Sequence, residues 1–155
     1  MTELIATIVL TASSALLFGY WFRYTCLLIL SARTTRDYAG EFAAAVELSF
    51  PGIQEKLRSE AFGNSPSCLE ELQASLNRDY AVVTYLLKNV SDSSAGASSV
   101  EVRMLEINYR LMGAWFSVSK RFSVTAAQHA LEEMALVVSH FANTMGERAE
   151  AAAAA

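Results

Sequence analysis

The side chains with the most chemical capacity lie towards the C-terminal end. His129, Glu133 and His140 are spaced four and then seven residues apart. At about 100° per residue, that spacing sets two imidazoles and one carboxylate on a single stripe of a helix. Imidazole and carboxylate suit a divalent metal, and the interior of a helical bundle can house one. The pattern stops short of a metal motif. The Glu-x-x-His pair of di-iron bundles is missing, Leu136 interrupts the stripe, and no other helix supplies a matching histidine. The expectation is therefore no metal and no cofactor, with His129, Glu133 and His140 as minor candidate ligands. The stripe reads first as solvated or facing a partner, and the same two imidazoles, whose unperturbed value is about 6.5, are candidate pH sensors.

Nucleophilic chemistry is no better supported. Cys68 follows Ser67, an expected helix N-cap, where the helix dipole favours a thiolate. No basic partner can be assigned to it, so it reads as a small residue in a first turn. There is no GxSxG, no GxGxxG and no P-loop. Met104, Met112, Met134 and Met145 fall on apolar stripes, which makes them core filling before they are axial ligands. Enzymatic activity is not expected.

The elements that would carry these residues are all helical. The chain has 155 residues, two prolines, seven glycines and a net charge of −4. The richness in Ala, Leu, Glu and Met favours helices, and the negative charge leaves no electrostatic footprint for nucleic acid. Cys26 and Cys68 form no CxxC and no disulfide framework. The fold expected is all-α: one N-terminal transmembrane helix, then a roughly four-helix antiparallel bundle. The domains are a transmembrane anchor over 1–32, a bundle over 33–148 and an alanine-rich tail over 149–155.

The anchor is the dominant signal. Residues 4–31 hold one full charge, Arg23. As a helix, this stretch spans roughly 42 Å, against a hydrocarbon core of about 30 Å. Tyr20, Trp21, Arg23 and Tyr24 mark the membrane interface, where amphipathic rings settle and arginine snorkels. A lower-centred span would put Arg23 inside the bilayer and require a partner for it. Thr7, Thr11, Ala15 and Gly19 recur every four residues and form a small-residue face for transmembrane helix packing. No Lys or Arg precedes the span, whereas Arg33 and Arg36 follow it. The positive-inside rule then puts the N-terminus outside and the C-terminal domain in the cytoplasm. A cleaved signal peptide fits less well, because there is no basic n-region and the apolar run is long. Glu3 ahead of that run resembles the start of a type IV pilin. That family carries its acidic residue deeper in the helix and has a β-rich head, and this sequence reads as neither.

In the bundle, Phe42, Val46, Ile53 and Leu57 make a first stripe, with a break expected at residues 49–51 because of Pro51. Thr34 or Thr35 is its expected cap, and a short piece after Pro51 runs to about Ala61. Gly63, Asn64, Ser65 and Pro66 break the chain, and Ser67 with Glu70 reads as a capping box. Leu69, Leu72, Leu76, Tyr80, Val83, Leu87 and Val90 form the second helix face. A polar linker covers residues 91–99. The third helix, about 100–120, carries two apolar stripes. One is Val102, Leu105, Tyr109, Met112 and Phe116. The other is Val100, Met104, Ile107, Leu111, Ala114 and Val118, with Trp115 beside it. So much apolar circumference makes it either the central helix or one covered by a partner. Met104, Leu111 and Trp115 are the partner-facing candidates. Ser123 or Thr125 opens the last helix, with Ala127, Leu131, Met134, Val138, Phe141 and Met145 on its core face.

The function expected is that of a single-pass membrane protein, a structural or accessory subunit or interaction module of a larger membrane complex, with a bacterial inner membrane as its setting. Its partners would be the lipid bilayer and other membrane protein subunits, in a hetero- or homo-oligomer. The alternative is a membrane-anchored helical-bundle sensor or metal- or ligand-binding domain.

Overall fold

The computed structural model describes residues 1–31, 37–58, 66–91 and 98–153. These form six helices: α1 (Thr2–Ser31), α2 (Ala39–Val46), α3 (Phe50–Arg58), α4 (Pro66–Ser91), α5 (Ser98–Ser119) and α6 (Val124–Ala153). The described residues contain no strand, and the all-α class holds. The chain divides into two compact units, Met1–Arg33 and Thr34–Ala155. The caps proposed at Thr34 and Thr35, the cations Arg33 and Arg36, the end near Ala61, the breaker at Gly63, Asn64 and Ser65, and residues 92–97 of the linker lie outside the described residues.

The first unit is the single helix α1. Among the described residues it is the one helix long and apolar enough to cross a membrane, a test that an N-terminal signal sequence also meets. Several of its hydroxyls are satisfied within the helix. The hydroxyls of Thr7 and Thr11 donate to the carbonyls of Glu3 and Thr7 at 2.8 Å, and Thr25 donates to Trp21 at 2.9 Å. That back-bonding removes the need for a water partner, which lipid cannot supply.

In the second unit α6 packs against α2, α3, α4 and α5. Its composition allows this. Leu131, Met134, Val138 and Phe141 fill space, while the buried Ala127, Ala130, Ala135 and Ala142 let neighbours approach from other sides. The central helix is therefore α6 and not the doubly striped α5. Only the first of α5's stripes is buried, through Leu105, Tyr109, Met112 and Phe116. Burying a side chain such as Phe116 or Leu131 contributes about 1.5–3 kcal/mol.

Cross-helix pairs fix the directions. Lys120 Nζ lies 2.6 Å from Glu70 Oε1, and Lys88 Nζ lies 3.4 Å from Glu106 Oε1, so α5 runs back along α4. Asn108 meets Glu133 and Glu101 meets His140, so α6 runs back along α5. The four expected helices become three long ones and a broken first, α2 and α3. The break falls at residues 47–49. Glu47 takes a left-handed conformation (φ 55°, ψ 44°), and the Leu48 amide donates to the Ala43 carbonyl at 2.9 Å, closing α2. Pro51 then sits in the first turn of α3, where a missing N–H costs nothing. The Ser49 carbonyl accepts from the Ile53 amide, and the Ser49 amide donates to the buried carboxylate of Asp79 at 2.7 Å.

Of two capping expectations, the one at α4 is displaced and the one at α6 is met at Ser123. Helix α4 begins at Pro66, so Ser67 lies inside its first turn, and Glu70 is engaged across the bundle by Lys120. At α6, Ser123 is the cap: its hydroxyl accepts from the Ala126 amide at 3.3 Å and its carbonyl from the Ala127 amide at 3.2 Å.

Candidate functional site

The three residues of the possible metal stripe lie on one side of α6, but their partners separate them. His129 is exposed, with Nδ1 3.2 Å from Glu132 Oε2. Such a surface pair contributes little. Glu133 is buried, and its Oε1 accepts from Asn108 Nδ2 at 2.9 Å. This differs from the solvated stripe expected from spacing, because the neighbouring α5 supplies an amide where sequence periodicity supplies only an angle. His140 is half-buried, with Nε2 3.5 Å from Glu101 Oε1. Burial is the main influence on its pKa and lowers it, while Glu101 and Glu147 pull it back up. Among the described residues no group of three or more His, Cys, Asp or Glu side chains is placed to hold a metal ion. Cys68 is a half-buried free thiol in the first turn of α4.

On α1 the residues expected at a membrane interface cluster as aromatic pairs. Tyr20 stacks near Tyr24 with centroids 6.4 Å apart, and Trp21 meets Tyr24 edge-on at 6.1 Å. Arg23 lies among them and is partly covered. Thr7, Thr11, Ala15 and Gly19 are exposed along the helix, and a Cβ at Gly19 would meet nothing within 4 Å. That face can accept a close neighbouring helix.

Among the described residues the outer face of α5 is apolar and exposed. Ile107, Leu111, Trp115 and Val118 are 56, 49, 53 and 53% exposed, and Val100 continues the row. Of the three partner-facing candidates, Leu111 and Trp115 belong to this exposed face and Met104 is half-buried at its edge. Helical spacing puts the exposed members on one stripe about 100° wide. Phe122, at the turn into α6, adds another exposed ring.

One cluster escapes sequence reading. Tyr80 of α4 and Tyr109 of α5 stack face to face, with centroids 3.8 Å apart and planes 5° from parallel. The Tyr109 hydroxyl donates to Asn77 Oδ1 at 2.8 Å. Burial raises the pKa of Tyr109 far above the usual tyrosine range, with Tyr80 and Asp79 adding to it. Tyr80 is raised too, first by burial and then by Glu106. The seam joins α4 to α5 by side chains and keeps both phenols neutral. Both tyrosines are visible as stripe members, but nothing in the sequence sets the register that stacks them.

Comparison with protein families, with curated proteins and with solved structures finds no match to this chain.

Proposed function

We propose that the protein is a single-pass membrane protein whose helical domain serves as an accessory or structural module of a larger membrane assembly. The carrying observation is apolar surface outside the folded core. Most of α1, Cys26 apart, and the outer face of α5 are apolar and exposed. In water both would be costly to leave bare, at about 25 cal/mol per Å². With α1 in lipid, the small-residue face of Thr7, Thr11, Ala15 and Gly19 is available to a second transmembrane helix. The cations after the span, Arg33 and Arg36, orient the N-terminus outside and the helical domain in the cytoplasm.

The test is extraction at native expression in a mild detergent, followed by sizing and mass spectrometry. A large species with reproducible partner subunits is the expected result. A small monomer with no companion would remove the accessory reading. Extraction of the chain by alkaline carbonate, or its recovery without residues 1–31, would remove the single-pass reading.

A further inference from the structure

The charges around the outer face of α5 are segregated in a way that its apolar stripe does not require. Arg103 and Arg110, seven residues apart, run along one flank and are exposed. Arg121 follows, exposed, in the turn beside Phe122. Of the two carboxylates of the helix, Glu106 is largely covered, while Glu101, on the opposite flank, keeps 44% of its side chain exposed. Glu101 lies against His140 at 3.5 Å and Glu106 against Lys88 at 3.4 Å. The flank of α5 that carries Arg103 and Arg110 is thus cationic beside the apolar stripe, and both carboxylates are paired with bases, in a chain whose net charge is −4. Trp115 and Phe122 add rings of the kind that settle at a headgroup boundary, Trp115 with its polar N–H edge.

We propose that this face lies on the surface of an anionic bilayer, with Trp115, Leu111 and Ile107 in the headgroup boundary and Arg103, Arg110 and Arg121 on lipid phosphates. An apolar stripe flanked by cations and carrying tryptophan is the arrangement of interfacial helices. The proposal rests on the single-pass reading of α1. A membrane anchor joined by residues 32–38 keeps the domain at high local concentration near lipid, so a face too weak to bind from solution can still be occupied. A cytoplasmic leaflet carries the anionic lipids that attract arginine, with each cation contributing roughly fivefold in affinity. An acidic protein surface would match the same charges, but the tether supplies lipid without any second protein.

The experiment uses the full chain in lipid nanodiscs. Trp21→Phe leaves Trp115 as the single tryptophan, since the chain has two. In discs of phosphatidylcholine mixed with phosphatidylglycerol, Trp115 emission shifts to the blue and is quenched by brominated acyl chains. High salt reverses both effects, and phosphatidylcholine alone gives little of either. Arg103→Gln, Arg110→Gln and Arg121→Gln each weaken the quenching, and the triple variant abolishes it with circular dichroism unchanged. Trp115 left open to aqueous iodide and untouched by brominated lipid, in a folded chain, would overturn the proposal. Shielding from iodide without lipid quenching would overturn it in favour of a protein cover and leave the accessory reading standing. Failure of the chain to co-elute with the discs would overturn it together with the single-pass reading, and is recognised before any fluorescence is read.

Discussion

Replacing Gly146 by alanine separates packing from helix propensity. In the interior of an α-helix, glycine to alanine contributes about 1 kcal/mol by propensity. Gly146 lies within α6, so propensity alone says the substitution stabilises. The neighbours say otherwise. A Cβ at Gly146 would overlap the Cβ of Tyr38, with Tyr38 Cγ at 3.2 Å and the Tyr38 carbonyl oxygen at 3.5 Å. Tyr38 cannot retreat freely, because its amide donates to Asn143 Oδ1 at 2.7 Å, one turn back on α6. Overpacking of this kind costs about 1–3 kcal/mol, and losing the Asn143 bond about 1 more. Set against the propensity gain, Gly146→Ala should destabilise by about 1–3 kcal/mol. Gly113 is the control. Its added Cβ would meet only Met134 Cε, at an ordinary 3.8 Å, so Gly113→Ala should stabilise by about 0.5–1 kcal/mol. Urea unfolding of the full chain in mild detergent, followed by far-ultraviolet circular dichroism, measures both. If Gly146→Ala matches or exceeds the parent in stability, the close approach of α2 to α6 is refuted.

Three further outcomes follow from the same packing. Asn108→Leu takes an amide donor from the buried Glu133 carboxylate and should cost about 2–3 kcal/mol; a urea midpoint unchanged from the parent would contradict the buried pair. Glu47 is the one non-glycine residue with positive φ among those described, so Glu47→Gly should stabilise by about 0.5–1 kcal/mol, and a loss would contradict the left-handed cap. His140 has a lowered pKa in the folded state, mainly from burial. The folded chain then binds fewer protons than the unfolded one, and this contribution is complete above the unfolded value of about 6.5 and fades as pH falls below it. His140→Gln should flatten that part of the stability–pH curve relative to the parent, and parallel curves would refute it.

The helical class was legible because period and composition agree along the chain, and the stripes through Leu69, Leu76, Leu105, Phe116, Leu131 and Phe141 are all buried. The chain break near Pro51 was legible for a local steric reason, although it falls slightly earlier because Glu47 turns left-handed first. The identity of the central helix was not legible. By count of large apolar side chains α5 exceeds α6, but centrality depends on how closely neighbours can approach, and the alanines of α6 decide that. The environment of Glu133 was hidden for a related reason: spacing gives a direction around one helix, whereas Asn108 comes from another. Ser67 and Glu70 fit a capping box locally, and Lys120, fifty residues away, engages Glu70 instead.

The central position of α6 bears on the order of assembly. Helices α2, α3, α4 and α5 all rest on it, and it leaves the ribosome after them. The bond from Tyr38 to Asn143 closes a separation of 105 residues. Until α6 is made, the apolar stripes of the preceding helices have no common surface to join, and non-local closure of this length slows folding. A nascent chain whose α1 is already engaged by the insertion machinery would therefore hold four unconsolidated amphipathic helices beside the membrane, and would depend on chaperones or on speed of elongation to reach the stage at which its last helix draws them together.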